Sequence, residues 1–279
     1  MDAGKSAIIG CIGEVMTSRA DGVLEKLGIQ GRIVGAVLLQ DMRTRFGRSY
    51  LSYLIAIVWP LFHILFIMGA YMLVNSFAPV GDDPAVFLAT GMLPYILCLY
   101  PARQLAFALA QNRQLLNIPI LRPAHLIAAR LVLELSTASL VCIIFYLTLV
   151  ASGIDIWPSN LETAVEALSA TLFLAIGLGT LNIVIVALFG PFAIVGFILF
   201  MVGLYVTSGV YMPIRMIPEP TRSIMLYNPL AHLVEWMRSA YFASYDSSDI
   251  GKTYVIGIAS VTLLLGLLGE RFMRNKMLN

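Results

Sequence analysis

Charge is what this sequence has least of. Only 12% of its 279 residues are Asp, Glu, Lys or Arg, about half the share of a soluble domain. That shortage excludes a soluble domain of ordinary size beyond residue 50, because too few polar side chains remain to clothe one. The net charge of +2 leaves no basic surplus for a nucleic-acid partner. Cysteine is scarce too. Cys11, Cys98 and Cys142 stand far apart with no CxxC or Cys/His ligand spacing, so neither a disulfide framework nor a metal site is expected. His63, His125 and His232 are equally dispersed and lack an acid or Cys at ligand spacing. No GxSxG or HExxH occurs. The expectation is therefore a protein without catalytic constellation, metal or cofactor. Gly4-Lys5-Ser6 resembles the end of a phosphate-binding loop, but the leading glycine and strand of that motif are missing. Any ATP-driven work would need a second polypeptide. The N-terminus mixes acids and Gly among its apolar residues and offers no cleavage pattern, so no removed signal peptide is expected.

What fills the chain instead is apolar sequence, 59% of all residues. The stretch 51–74 runs for 24 residues without an acid, Lys or Arg, more than the ~20 that cross a hydrocarbon core as a helix. Further spans are expected near 85–110, 124–151, 163–189, 192–210 and 252–269. Of the 18 Lys and Arg, 14 lie before the first span, at the second-to-third connection or after the last span. Only Arg215, Arg222, Arg238 and Lys252 fall on the other side. By the positive-inside rule both termini are then cytoplasmic. Ile33, Val37, Leu38 and Met42 share a helical face opposite Gln40, Asp41 and Arg45, the pattern of a helix lying in the interface plane. Arg43, Arg45 and Arg48 follow as its interfacial cations. Residues 211–251 are rich in Pro and aromatics with mixed charge, and 230–241 can form a short helix dipping into the outer interface. The fold class expected is an all-α membrane protein of six transmembrane helices. It carries an N-terminal amphipathic interface helix and an extracytoplasmic re-entrant region before the last span.

Ionisable residues inside spans are costly and hence functional candidates. Arg130 and Glu134, four apart, can neutralise each other on one helix face. Arg103 either snorkels to the headgroups or binds an anionic group of a substrate. Trp59, Phe62 and Phe66 on the first span, with Tyr205 and Tyr211 on or after the fifth, either pack against lipid or line a substrate channel. Flat rings offer many weak contacts without demanding one geometry, which suits a cargo that must slide. The connection 112–121 is polar at Asn112 and Arg113, then apolar at Leu115, Leu116, Ile118 and Ile120. It fits a short segment docking into a groove on another protein.

The run from Asp41 through Arg43, Arg45, Phe46, Arg48 and Tyr50 to Leu51, followed by Trp59-Pro60, resembles the approach to the first span in permeases of the ABC-2 type. With the segment Asn112-Arg113-Gln114-Leu115-Leu116, the segment Tyr227-Asn228-Pro229-Leu230 and the Pro-rich stretch before the last span, the chain is similar to capsular polysaccharide and O-antigen export permeases. The resemblance covers about residues 33–279, and 31–279 is expected to form the transmembrane domain after a cytoplasmic extension, 1–30. It implies a homodimer in the inner membrane, a separate ABC ATPase docked on Asn112, Arg113, Leu115 and Leu116, and a lipid-linked polysaccharide as cargo. It also leaves room for a periplasmic or outer-membrane export partner. Another cargo, such as O-antigen, teichoic acid or a drug, remains open at this point, as does a membrane-embedded transferase.

Overall fold

The computed structural model describes residues 25, 26, 28–43, 50–74 and 77–278. Every helix or turn of regular structure among them is helical, in the order α1 (28–43), α2 (Tyr50–Val74), α3 (Pro84–Leu105), α4 (Ala108–Gln111), α5 (Pro123–Ala151), α6 (Leu161–Phe189), α7 (Ala193–Val206), α8 (Thr221–Met225), α9 (Pro229–Tyr241) and α10 (Lys252–Leu278). Five of them, α2, α3, α5, α6 and α10, are long and apolar enough to cross a membrane. The helix start signals are local. Asp83 accepts the Ala85 N–H at 2.7 Å ahead of Pro84, and Asn160 accepts the Thr163 N–H at 3.0 Å ahead of Leu161.

The bundle is built around α3, which is buried along nearly its whole length despite Pro94 and Pro101. Prolines are tolerated there because packed neighbours can satisfy the freed backbone groups. Helices α6 and α10 approach each other through glycines. A Cβ added at Gly177 would lie 2.6 Å from the Ala259 carbonyl oxygen, and one at Gly266 would lie 2.6 Å from the Thr180 backbone. Small residues allow such approach where no hydrophobic force drives helices together.

The expected fifth span, 192–210, is helical only over Ala193–Val206, about 21 Å of helix against a core of about 30 Å. It ends in a turn, not at a loss of apolarity. Thr207 and Ser208 turn their hydroxyls back onto the Gly203 and Tyr205 carbonyls at 2.9 and 2.7 Å. Gly209 then reverses the chain at φ +73°, a conformation that favours glycine.

Beyond this reversal the short helix expected over 230–241 appears as α9, and most of its side chains are buried in the bundle. Asn228 caps it, accepting the Leu230 N–H at 2.8 Å, and donates to the Leu204 carbonyl and the Thr207 hydroxyl at 2.6 and 2.9 Å. Arg238, counted among the outer charges, is fully buried. It donates to the carbonyls of Gly209 and Val210 at 2.8 and 2.6 Å, pairs with Glu235 at 3.3 Å, and sits 4.1 Å above the Phe87 ring. Tyr245 donates to the other Glu235 oxygen at 2.6 Å. Burial, then Glu235, pushes the Tyr245 hydroxyl well above its ordinary ionisation range.

On the exposed side Arg215 binds Asp246, Ser248 and Asp249, and Arg222 shares Asp249. The Ser248 backbone N–H first, then Arg215, holds the Asp246 carboxyl below its ordinary range. A carboxylate with a depressed folded pKa stabilises above its unfolded value, near 3.9, and ceases to do so as pH falls through the folded one. Hydrogen-exchange protection factors of residues 246–251, corrected for the intrinsic pH dependence of exchange, are therefore expected to stay constant from pH 7 to about pH 5 and to fall below about pH 4. A loss of protection already complete by pH 6 would assign the effect to another group. Because these charges are exposed, the change is local and leaves the bundle intact.

Candidate substrate path and coupling site

At the end of the bundle that carries α1, the helix turns Val37 and Leu38 of its expected apolar face inward and adds Asp41 to them. Val34, Val37, Leu38 and Asp41, at intervals of three and four, pack toward α4 and α5 on a core that includes Leu109, Leu126 and Ile127. Asp41 was expected on the polar face, yet it is 1% exposed. The cause is Arg130, fully buried on α5, whose guanidinium meets the Asp41 carboxylate at 3.0 Å. Asn112 donates to the other Asp41 oxygen at 2.6 Å and to the Ala108 carbonyl at 3.2 Å, while Arg130 also binds Gln111. A buried ion pair is tolerated when its remaining hydrogen-bonding capacity is filled in this way. Gln30, which falls in the expected extension, meets His125 at 2.6 Å. Arg43 is exposed, and Arg45 and Arg48 lie outside the described residues.

The connection after α4 begins with a 3-10 turn, Arg113–Asn117. Leu115 and Leu116 are half-buried against the α1–α5 core, whereas Ile118 and Ile120 are exposed. Of the four apolar residues expected to face outward, Ile118 and Ile120 thus do and Leu115 and Leu116 do not.

A cavity of about 290 Å³ opens between α2, α3 and α5, lined among others by Trp59, Tyr100, Arg103 and Glu134. Arg103 lies 5.2 Å from the Tyr100 ring centroid, and His63 Nδ1 is 3.0 Å from the Tyr100 hydroxyl. Glu134, expected to serve Arg130, lines this cavity and is 4% exposed. From Trp59 the exposed rings of Phe62 and Phe66 continue along α2, with centroids 6.5 and 5.5 Å apart and the second pair stacked. Spacings of three and four residues keep them on one face. Tyr205 and Tyr211 form a second group. Their hydroxyls are 2.6 Å apart, Tyr205 packs on Tyr95 at 4.3 Å, and Tyr211 stacks on Tyr71 at 5.3 Å. The six expected path residues therefore divide into Trp59, Phe62, Phe66 and Arg103, joined through Trp59 at the cavity, and Tyr205 with Tyr211, which pack farther along the same two helices on Tyr95 of α3 and Tyr71 of α2. Glu134, Tyr100, Tyr71 and Tyr95 were not anticipated there. Their only sequence signal is an ionisable or aromatic side chain within an apolar run.

One cation beside aromatic rings, within a membrane-length bundle, can hold an amphiphile with an anionic group. Among the described residues no cluster of His, Cys, Asp and Glu is suited to a metal ion. The fold defines an all-helical, multi-pass membrane protein with five apolar helices long enough to span. No family model matches the chain. It is 30% identical over 239 residues to the polysialic acid transport protein KpsM of Escherichia coli, covering 86% of this chain and 92% of that protein. The capsule polysaccharide export inner-membrane proteins CtrC of Neisseria meningitidis and BexB of Haemophilus influenzae are 27% and 28% identical, each over 87% of this chain and 91% of their own length. The chain belongs to this family of capsule polysaccharide export inner-membrane permeases of the ABC-2 type.

Proposed function

We propose that the protein is the transmembrane permease subunit of an ATP-driven exporter that moves lipid-linked capsular polysaccharide across the inner membrane. The observation that carries this reading is similarity to capsule export proteins along nearly the whole of their length. The exposed ring series Trp59, Phe62 and Phe66 beside the Arg103 cavity supports it. In this reading the rings face a path between two copies of the chain, and Arg103 meets the anionic linkage of the lipid anchor. Tyr205 and Tyr211 flank the path farther out. Residues 31–279 form the transporter domain and 1–30 an extension. Counting α7 with the turn that follows gives six passes, with α9 as a re-entrant element. The asymmetry of Lys and Arg sets both termini in the cytoplasm. Hydrolysis of ATP belongs to a separate subunit beneath each copy, because no complete phosphate-binding loop exists in this sequence.

The test is surface polysaccharide per molecule of permease in a capsule-forming host whose own permease is deleted. The wild-type chain, supplied with its ATPase, restores export. Trp59→Ala, Phe62→Ala and Phe66→Ala combined are expected to lower it about tenfold or more at unchanged abundance, if each stack contributes about 1 kcal/mol. Wild-type export per molecule in the triple variant would remove the rings from the path.

The ATPase contact is assigned to Ile118 and Ile120, with Asn112 and Arg113 opening the segment. Ile118→Asp with Ile120→Asp is expected to abolish co-purification of the ATPase while the permease reaches normal levels. Leu115→Asp with Leu116→Asp is expected to reduce the permease itself, since those side chains pack on its own core. Retention of the ATPase by the isoleucine pair would place the contact elsewhere.

A further inference from the structure

Helix α10 marks its own depth in the bilayer. Between Lys252, its first residue, and Glu270 it carries no Asp, Glu, Lys or Arg. That stretch is about 27 Å long, close to the ~30 Å of a hydrocarbon core, so the two charges stand at its two boundaries. At the Lys252 boundary the ammonium meets Glu166 of α6 at 2.8 Å, and Glu166 heads the uncharged run 167–214. Beneath this pair a groove of about 430 Å³ lies between α6 and α10, with Trp236 of α9 at its floor. That volume is within the roughly 300–1,000 Å³ of ligand sites. Ser169, Ala170 and Phe173 follow Glu166 down one face of α6, and Ile256 follows Lys252 down α10. Phe173 stands about 10 Å deeper than Glu166. Ile256 is itself exposed, so the groove opens sideways to the membrane.

The charges at its mouth are accessible and keep capacity to spare. The Lys252 and Glu166 side chains are 51% and 45% exposed. An ammonium has three donors and a carboxylate two oxygens, and their mutual bond uses one of each. A ligand there meets a donor for an anion beside an acceptor for a cation. A purely anionic headgroup is drawn by Lys252 and repelled by Glu166. A choline group has no N–H for the carboxylate, and the Trp236 ring that could hold it is taken by the Lys252 ammonium, 4.5 Å from its centroid. A phosphate linked to a primary ammonium satisfies both side chains, and an acyl chain below it fits along Ala170, Phe173 and Ile256. We infer that this groove binds a phospholipid of the phosphatidylethanolamine class, its phosphate on Lys252 and its ammonium on Glu166. The site lies apart from the aromatic path on α2 and does not rest on the transport reading.

The test uses the full chain in detergent, stripped of lipid, and counts bound lipid by native mass spectrometry. Dioleoyl phosphatidylethanolamine, phosphatidylcholine and phosphatidylglycerol are titrated in parallel. Wild type is expected to take up its first ethanolamine lipid at about tenfold lower concentration than either of the others, the worth of one charge-assisted hydrogen bond. Glu166→Gln should erase that preference. The variant is expected to fold, because an exposed ion pair contributes little to stability. Ser169→Trp fills the groove from an exposed position and should also erase the preference, with both charges in place. Equal uptake of the three lipids by wild type would overturn the inference, as would a preference that survives either substitution. Disulfide formation between two copies of Ser169→Cys in membranes, beyond that of wild type, would overturn it too, by showing that a second chain covers the groove. None of these results bears on export by the wild-type chain, so failure here is distinct from failure of the transport reading.

Discussion

Asp41→Ala is expected to destabilise the protein by about 3–5 kcal/mol and to release α1 from the bundle. That is the usual cost of removing one partner from a buried pair, because the remaining charge keeps its desolvation penalty. Here Arg130 is fully buried, and the Asp41 carboxylate facing it also accepts from Asn112. The loss would strike α1, α4 and α5 together, and with them the segment that leads to Ile118. Limited proteolysis between residues 25 and 50, together with the yield of monodisperse protein, reports the release. The double variant Asp41→Leu with Arg130→Met separates stability from transmission. Replacing both charges by apolar side chains removes the desolvation penalty altogether, so yield should recover toward wild type. If export stays low in that variant, the charged pair serves movement between α1 and the ATPase-facing segment. If Asp41→Ala leaves α1 as protected as in wild type, the pair does not hold the helix.

The second large effect is expected at the α6–α10 contact. Gly177→Leu or Gly266→Leu would force a side chain into backbone 2.6 Å from the new Cβ, which no rotamer can relieve. Overpacking of this kind costs about 3 kcal/mol or more. The monodisperse fraction after extraction should fall below about a tenth of wild type, since abundance follows small losses of stability steeply. Gly257→Leu is the internal control, on α10 itself with nothing within 4 Å of an added Cβ. It is expected to express normally. Equal behaviour of Gly177→Leu and Gly257→Leu would mean that α6 and α10 are not held at this separation.

Hydropathy makes α2, α3, α5, α6 and α10 legible, because an uncharged run of that length has one stable form in a bilayer. It overreads α7 for a physical reason. Residues 192–210 are nearly all apolar, but the helix ends at the turn through Gly209, which no apolar window can register. The ring series on α2 is legible from spacings of three and four. The meeting of Tyr205 with Tyr211 is not, since six residues is no helical interval and the two are joined by the reversal between them. Asp41 and Arg238 mislead in the same way. Each reads as surface charge because its partner comes from a distant segment, Arg130 for the first and the carbonyls of residues 209 and 210 for the second. Among the apolar residues of the segment after α4, composition cannot tell that Leu115 and Leu116 turn inward and that Ile118 and Ile120 do not.

The reversal after α7 sets how that helix can move. Its Val206 end is tied by directional bonds, from Asn228 to Leu204 and Thr207 and from Arg238 to the two carbonyls beyond. At its Ala193 end the buried side chains are Ile194 and Phe197, whose contacts are nondirectional and gain little over contact with lipid tails as apolar as themselves. A rod anchored this way pivots; it does not slide. A tilt of 10° about the Val206 end sweeps the Ala193 end through roughly 4 Å and hardly displaces Tyr205. The fixed point of α7 thus lies on the side of α9, and its free stroke lies at the Ala193 end.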